Sequence, residues 1–222
     1  MQLGLSNIIK SKVGGWLPTN EISLEAWYKK GVGITESSGA VSEWADASSN
    51  SIDMAQANTS EQPTYAGGII TFDGSDNLQS SGQISLTGDY TIGVYFKPTG
   101  VATDYAILGD NTTGGHFIKL NDEDTIYIKS GAGVKGISLT SGASFKDGGY
   151  FVLTRDSSNF TLFWNGVQEA QVSVIAGTQL LDTIGGKATD NFDYIGDITE
   201  IQIYSSTSTD LINNINSRLS TL

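Results

Sequence analysis

The chain has no cysteine, one histidine and three prolines among its 222 residues, and each scarcity removes a class of protein. Without cysteine there is no disulfide scaffold, no thiolate metal site and no cysteine nucleophile. A serine–histidine triad would have to use His116, and the Gly-x-Ser-x-Gly elbow that presents such a serine does not occur. His116 is therefore read as a surface or edge residue at a strand start. Phosphate-cradling loops of the Gly-x-x-x-x-Gly-Lys-Ser/Thr type are missing too. Basic residues are few: 12 Lys and Arg against 24 Asp and Glu give a formal charge of −12. That argues against nucleic acid or an anionic membrane as partner, since either needs a basic surface. No stretch approaches the ~20 apolar residues that cross a bilayer. The opening MQLGLSNIIKSK carries both lysines after its short apolar stretch, the reverse of a secretory leader. The expectation is a chain made in a cytoplasm without export.

What is abundant points to strands and turns. Twenty-seven glycines, with many Ser and Thr, suit short strands joined by tight turns. The hydrophobic share of 38% suffices for one sandwich core, and all-β sandwiches of this length fold as single units. The clearest segment is Tyr150–Gly166, YFVLTRDSSNFTLFWNG. Phe151, Leu153 and Arg155 alternate with Val152 and Thr154, as Phe160, Leu162 and Trp164 do with Thr161 and Phe163, which is the period of a pleated sheet. Asp156-Ser-Ser-Asn159 makes the turn between them, and Asn165-Gly166 tolerates the positive φ of the next hairpin. Similar patterning predicts strands at 24–29, 69–72, 77–79, 90–97, 104–109, 116–120, 125–129, 134–139, 150–155, 160–164, 167–174 and 197–204. Leu211, Ile215, Leu219 and Leu222 share one helical face behind Ser208 or Thr209 as N-cap, so a C-terminal helix is expected. The chain thus divides into an N-terminal arm (1–20), a strand-and-turn domain (21–205) and a helical segment packed on it (206–222). In the arm, Leu5, Ile8, Ile9, Val13 and Trp16 have near-helical spacing, ended by Gly14-Gly15 and Pro18.

The Arg-Asp and Asn-Gly ends of the 150–166 hairpin resemble laminin-G-like domains of the bacterial and phage type, within the concanavalin A-like lectin/glucanase superfamily. Leu24-Glu-Ala-Trp-Tyr28 resembles the entry strand of that branch. Trp44-Ala-Asp-Ala-Ser-Ser-Asn50 is similar to its Trp-x-Asp-x-Ser-Gly-Asn turn, with Ser49 in place of glycine. Ile70-Thr-Phe-Asp-Gly-Ser-Asp76, Tyr90–Pro98 and Tyr194–Tyr204 follow in the family order. The resemblance implies a concanavalin A-like jelly-roll sandwich of two antiparallel sheets, with a short C-terminal helix.

Asp46, Ser48 and Asn50, and likewise Asp73 and Asp76, are read as turn caps, and Trp27, Trp44 and Trp164 as core or rim anchors. Related folds bind calcium through loops in comparable chain positions, which makes Asp110, Asn111 and Asp190 the candidate ligands of a Ca2+ ion. The superfamily's glycoside hydrolases carry a Glu-x-Asp-x-x-Glu strand, yet no Glu-x-Asp occurs in this chain, so a non-enzyme is expected. Two functions remain. The first is a virion structural or accessory protein of a phage (capsid decoration, head fibre or tail component). Its partners would be the capsid or tail lattice and a host-surface glycan, and symmetric assembly into a homo-oligomer would fit it. The second is a carbohydrate-binding module, free-standing or beside an enzyme. A glycan site needs exposed aromatic faces, and Tyr105, Tyr127 and Tyr194, with Phe145, are the candidates.

Overall fold

The computed structural model describes residues 15–100, 104–112, 115–131, 133–187 and 193–222. Of the predicted arm, residues 1–14 lie outside that set, and the described end carries one 3-10 turn, Pro18–Asn20. The strands are, in chain order, β1 (Leu24–Tyr28), β2 (Ile34–Ser37), β3 (Ala40–Trp44), β4 (Met54–Ala55), β5 (Thr64–Ala66) and β6 (Ile69–Asp73). There follow β7 (Leu78–Leu86), β8 (Tyr90–Pro98), β9 (Tyr105–Gly109), β10 (Phe117–Leu120), β11 (Thr125–Ser130) and β12 (Gly133–Ser138). The last are β13 (Gly149–Arg155), β14 (Asn159–Trp164), β15 (Val167–Ser173), β16 (Gln179–Ile184) and β17 (Ile195–Tyr204), ahead of one helix, α1 (Thr209–Leu219).

The named strands pair antiparallel in two runs. In the first, β17 holds β6 and β1 end to end along one side and β8 on the other, and β8 continues through β13 and β14 to β15. In the second, β4, β7, β16, β9, β10, β11 and β12 lie in that order. The short strands β3, β5 and β6 link the runs. At the far edge Lys135 of β12 donates to Ser173 of β15 at 3.1 Å, so the runs nearly close on each other.

Alternation explains the core. Ile92, Val94 and Phe96 on β8, Phe151 and Leu153 on β13, and Leu162 and Trp164 on β14 point inward from the first run. Ile84, Leu108, Ile118, Leu120, Ile126, Ile128 and Leu181 answer from the second, and all belong to one apolar cluster. Turn chemistry behaves as its residues dictate: Asp156 accepts from the amides of Ser158 and Asn159 at 2.6 and 2.7 Å, while Asn165 and Gly166 take φ of 47° and 83°. Asp46 accepts from the amides of Trp27 and Ser48, both at 2.8 Å, and Asn50 donates to the Leu24 and Glu25 carbonyls, so the 46–50 loop is stitched to β1.

A second apolar cluster lies on the outer face of the first run. Leu211, Ile215 and Leu219 of α1 pack there against Trp27, Tyr150, Val152 and Tyr204. The helix is capped by the Ser208 hydroxyl, which accepts from the Leu211 amide at 3.1 Å. Gly93 lets it approach, because a Cβ there would sit 2.7 Å from Ile215 Cγ2. The strands that patterning misses are β2 to β5 and β16, together with most of β7, of which the expected 77–79 covers only the start. β2 has one half-buried residue followed by three exposed ones, and Gln179–Ile184 is buried on both faces with Asp182 in the middle, so neither shows a period of two.

Candidate functional site

The outer face of the second run is where side chains converge without a helix over them, among the described residues. Period-two geometry sends Ile118, Leu120, Ile126 and Ile128 into the core and therefore turns Phe117, Lys119, Tyr127 and Lys129 outward. Register then pairs Lys119 with Tyr127 and Phe117 with Lys129 across β10 and β11. Tyr127 lies over Gly136 of β12, where an added Cβ would come within 2.8 Å of its Cε1. Glycine at that position lets the ring lie against the backbone. Lys187 arrives from the turn after β16; Gly109 admits that turn, since a Cβ there would collide with the Gly186 carbonyl oxygen.

The result is a cationic cluster round one ring. The ammonium groups of Lys187, Lys119 and Lys129 stand 5.3, 5.4 and 5.7 Å from the Phe117 centroid, and Lys119 is also 5.7 Å from the centre of Tyr127. Asp104 pairs with Lys119. Phe117, Lys119 and Lys187 are buried, whereas Tyr127 and Lys129 are half-exposed. Along the sheet, a chain of side-chain amides borders this face. Asn111 Nδ2 donates to Gln79 Oε1 at 2.5 Å, Gln79 Nε2 to Asn77 Oδ1 at 2.8 Å, and Gln56 Nε2 to Asn77 Oδ1 at 3.1 Å and Glu61 Oε2 at 3.2 Å. Among the described residues, hollows also lie elsewhere: one of about 330 Å3 beside β1 is lined by Glu21, Ile22 and Asn50, and one of about 240 Å3 beside α1 by Trp16 and Arg218. Neither contains a candidate residue of the sequence reading.

Of the predicted aromatics, Tyr127 alone lies on this face. Tyr194 is fully buried, edge-on to Phe72 and Tyr105 at 6.1 and 6.0 Å, and its hydroxyl donates to the Asp197 carbonyl. Burial pushes that phenol well above its ordinary pKa. The expectation of a stacking role for Tyr194 is thus corrected: both faces of the ring are committed to the core. Phe145 is corrected in the same way, fully buried against Phe96 and Trp164. Tyr105 is half-buried with its edge to Tyr194.

The proposed calcium ligands are not brought together among the described residues. Asp110 is buried and accepts from the Thr112 amide at 2.8 Å. Asn111 donates its amide to Asp182 Oδ1 at 2.6 Å and its side chain to Gln79. Asp190 lies outside the described residues. Among those described, no group of three or more His, Asp or Glu side chains is placed to hold a metal ion. Phe117, Lys119, Lys129 and Lys187 escaped the sequence reading. The outward phase of the Phe117–Leu120 and Thr125–Ser130 strands pointed to the first three; nothing local to Lys187 did.

Beside the amide chain, Asp76 and Asp193 titrate far above the usual carboxylate range. Burial pushes each up to about 6, the Glu61 charge adding to Asp193 and the charges of Asp73 and Asp193 adding to Asp76. An unfolded Asp titrates near ~3.9. Between these values the folded chain holds protons that the unfolded chain has released, so stability is greatest at the acidic end of that window and is lost as pH rises through about 6. Thermal melts should therefore show higher stability at pH 5 than at pH 7. Asp193→Asn should raise the pH 7 value and shrink the difference. An unchanged pH slope in that variant would contradict this account.

An all-β chain with one sheet face sealed by a helix and the other lined by aromatic and polar groups has the form of a lectin-like domain. The sequence from 72 to 211 matches the laminin-G-like profile of the concanavalin A-like lectin/glucanases superfamily, and the chain belongs to that superfamily. No curated protein matches it. Among solved structures it is similar to domain 4 of AbnA, an extracellular GH43 arabinanase from Geobacillus stearothermophilus, solved with arabinotriose. The identity is 15% over 89% of this chain and 98% of that one, with a TM-score of 0.61. It is also similar to Trypanosoma rangeli sialidase in complex with 2,3-difluorosialic acid, at 16% identity over 98% of this chain and a TM-score of 0.60. The chain spans 35% of that sialidase.

Proposed function

We propose that this protein is a non-catalytic carbohydrate-binding domain, built as a two-sheet jelly-roll sandwich, that takes glycan on the outer face of β9–β12. The observation that carries it is the inequality of the two outer faces: α1 buries one, whereas the other presents the half-exposed Tyr127 over Gly136, with the Gln79 and Asn111 amides farther across the same run of strands. A sugar needs that combination, an apolar ring face for its C–H groups and fixed polar groups for its hydroxyls. The AbnA domain, of like fold and nearly equal extent, was solved holding arabinotriose, which supports the same use here. The missing Glu-x-Asp strand supports a binding rather than a hydrolytic role. Docking on a capsid or tail lattice, the other expectation, rests on the opening segment's unlikeness to a leader, the lack of cysteine, the acidic balance and the N-terminal arm, and draws no support from the fold or its relatives.

A glycan array probed with the intact chain should give specific binding, and Tyr127→Ala should weaken it roughly tenfold, about 1.4 kcal/mol. A blank array with folded protein would overturn the proposal. So would undiminished binding by the Tyr127 variant.

A further inference from the structure

The walls of a site decide which part of a glycan it takes. A pocket encloses a chain end and buries about 70–90% of a small ligand's surface, whereas an open face meets each sugar on one side only. Tyr127 stands on a face of the second kind. Three outward pairs follow one another along β11 and β12: Thr125 with Ser138, Tyr127 with Gly136, and Lys129 with Val134. Their neighbours Ile126, Ile128 and Ile137 are buried, so alternation fixes the outward phase of the strip. From Thr125 to Lys129 it runs roughly 13 Å, the rise of four strand residues. Along β12 the strip has no wall among the described residues. That strand pairs with β11 alone, and its outward residues Val134, Gly136 and Ser138 are all exposed. Gly136 has no side chain to stand beside the Tyr127 ring. On one side of the ring the Thr125 and Ser138 hydroxyls lie 2.9 Å apart, a fixed pair of donors and acceptors. On the other, Val134 offers apolar surface at 48% exposure.

We infer that this strip binds the interior of a linear polysaccharide, an extended run of sugars laid along β11 and β12, and not a terminal sugar. One ring of the chain stacks on Tyr127, and the sugars on either side meet Val134 and the Thr125 and Ser138 hydroxyls. Each contact is one-sided, so affinity accumulates over several sugars and no single one carries it. The inference rests on the carbohydrate-binding reading and deepens it by naming the part of the glycan that is recognised.

The test runs the intact chain through affinity gels cast with linear arabinan, xylan or mixed-linkage β-glucan. Oligosaccharides of whichever polysaccharide retards it are then titrated against the protein. Affinity is expected to rise roughly tenfold or more from disaccharide to hexasaccharide, and capping the chain end should leave it unchanged. Val134→Asp should flatten that rise while the melting temperature stays near wild type, since Val134 is exposed. Ser138→Ala, also at an exposed position, should act in the same direction. If a disaccharide binds as tightly as the hexasaccharide, if capping the chain end abolishes binding, or if both variants keep the full rise, the inference falls and the carbohydrate-binding reading stands. The same holds if no polysaccharide retards the protein while terminal sugars on the array bind it. If neither polysaccharides nor arrayed glycans bind, both fall.

Discussion

Glu200→Ala is expected to destabilise the protein by roughly 3–5 kcal/mol, the usual cost of stranding one member of a buried ion pair. At ~2–4 °C per kcal/mol for a chain of this size, the melting temperature should fall by about 6–20 °C. Glu200 is fully buried on β17, yet its carboxylate is well satisfied. Oε1 accepts from Arg218 Nε at 2.5 Å, Gln202 Nε2 at 2.8 Å and Trp27 Nε1 at 2.9 Å. Oε2 accepts from the second Arg218 nitrogen at 2.8 Å and from the Lys30 amide at 3.4 Å. The Arg218 guanidinium also lies 4.8 Å from the Trp27 ring centre. One side chain therefore joins β17, β1 and the last turn of α1, where a cation is further favoured by the helix dipole. Removing it leaves the Arg218 charge and the Trp27 N–H without their acceptor. The partner substitution Arg218→Met should be damaging alone, but Glu200→Ala with Arg218→Met should cost less than the sum of the two. A cycle in which the costs add, or a drop of less than about 2 °C for Glu200→Ala, would contradict this picture of the helix lock.

Phe96→Ala is expected to cost about 3–5 kcal/mol, through lost transfer energy and the cavity left behind. Phe96 sits at the meeting point of four aromatic rings: its centroid is 5.7 Å from Phe151, 5.8 Å from Trp164 and 6.2 Å from Phe145. Phe145 and Trp164 are themselves edge to face at 5.0 Å. Rings packed this closely cannot collapse into the void left by a neighbour, so most of the cavity should persist. Phe145→Ala should behave in the same manner although Phe145 belongs to the 3-10 turn Phe145–Asp147 rather than to a strand. Chemical denaturation of both variants would measure the two costs. A loss below about 1 kcal/mol for Phe145→Ala would mean that the turn, and not the ring, is what holds β12 and β13 in place.

Much of the architecture was legible in the order of residues. The strands with clear alternation, such as Tyr90–Pro98 and the Gly149–Trp164 hairpin, lie within a residue or two of where the pattern puts them. α1 starts where expected, with Ser208 as its cap and Leu211, Ile215 and Leu219 on its buried side, but it ends at Leu219, short of the expected Leu222. Turns formed by Asp46, Asp73 and Asp156 follow from side chains that bond their own backbone. β16 was hidden because a strand buried on both faces has no alternation to display. Tyr194 and Phe145 were misplaced because aromatic residues beside loops look alike whether a neighbouring sheet covers them or not.

The division has one physical root. A period of two states that a strand has an inner and an outer face, a local property that successive Cβ directions determine. Which outer face is then covered depends on contacts between residues far apart in sequence. Gly93 on β8 admits α1 over the first run, and no described helix covers the second. Likewise, Phe117, Lys119, Tyr127 and Lys129 could be assigned to one side from sequence alone, as pairs on adjacent strands. Their meeting with Lys187, from a turn that crosses Gly109, was decided by the tertiary structure, because only packing between distant segments brings a charge from the end of one strand over the first residue of another.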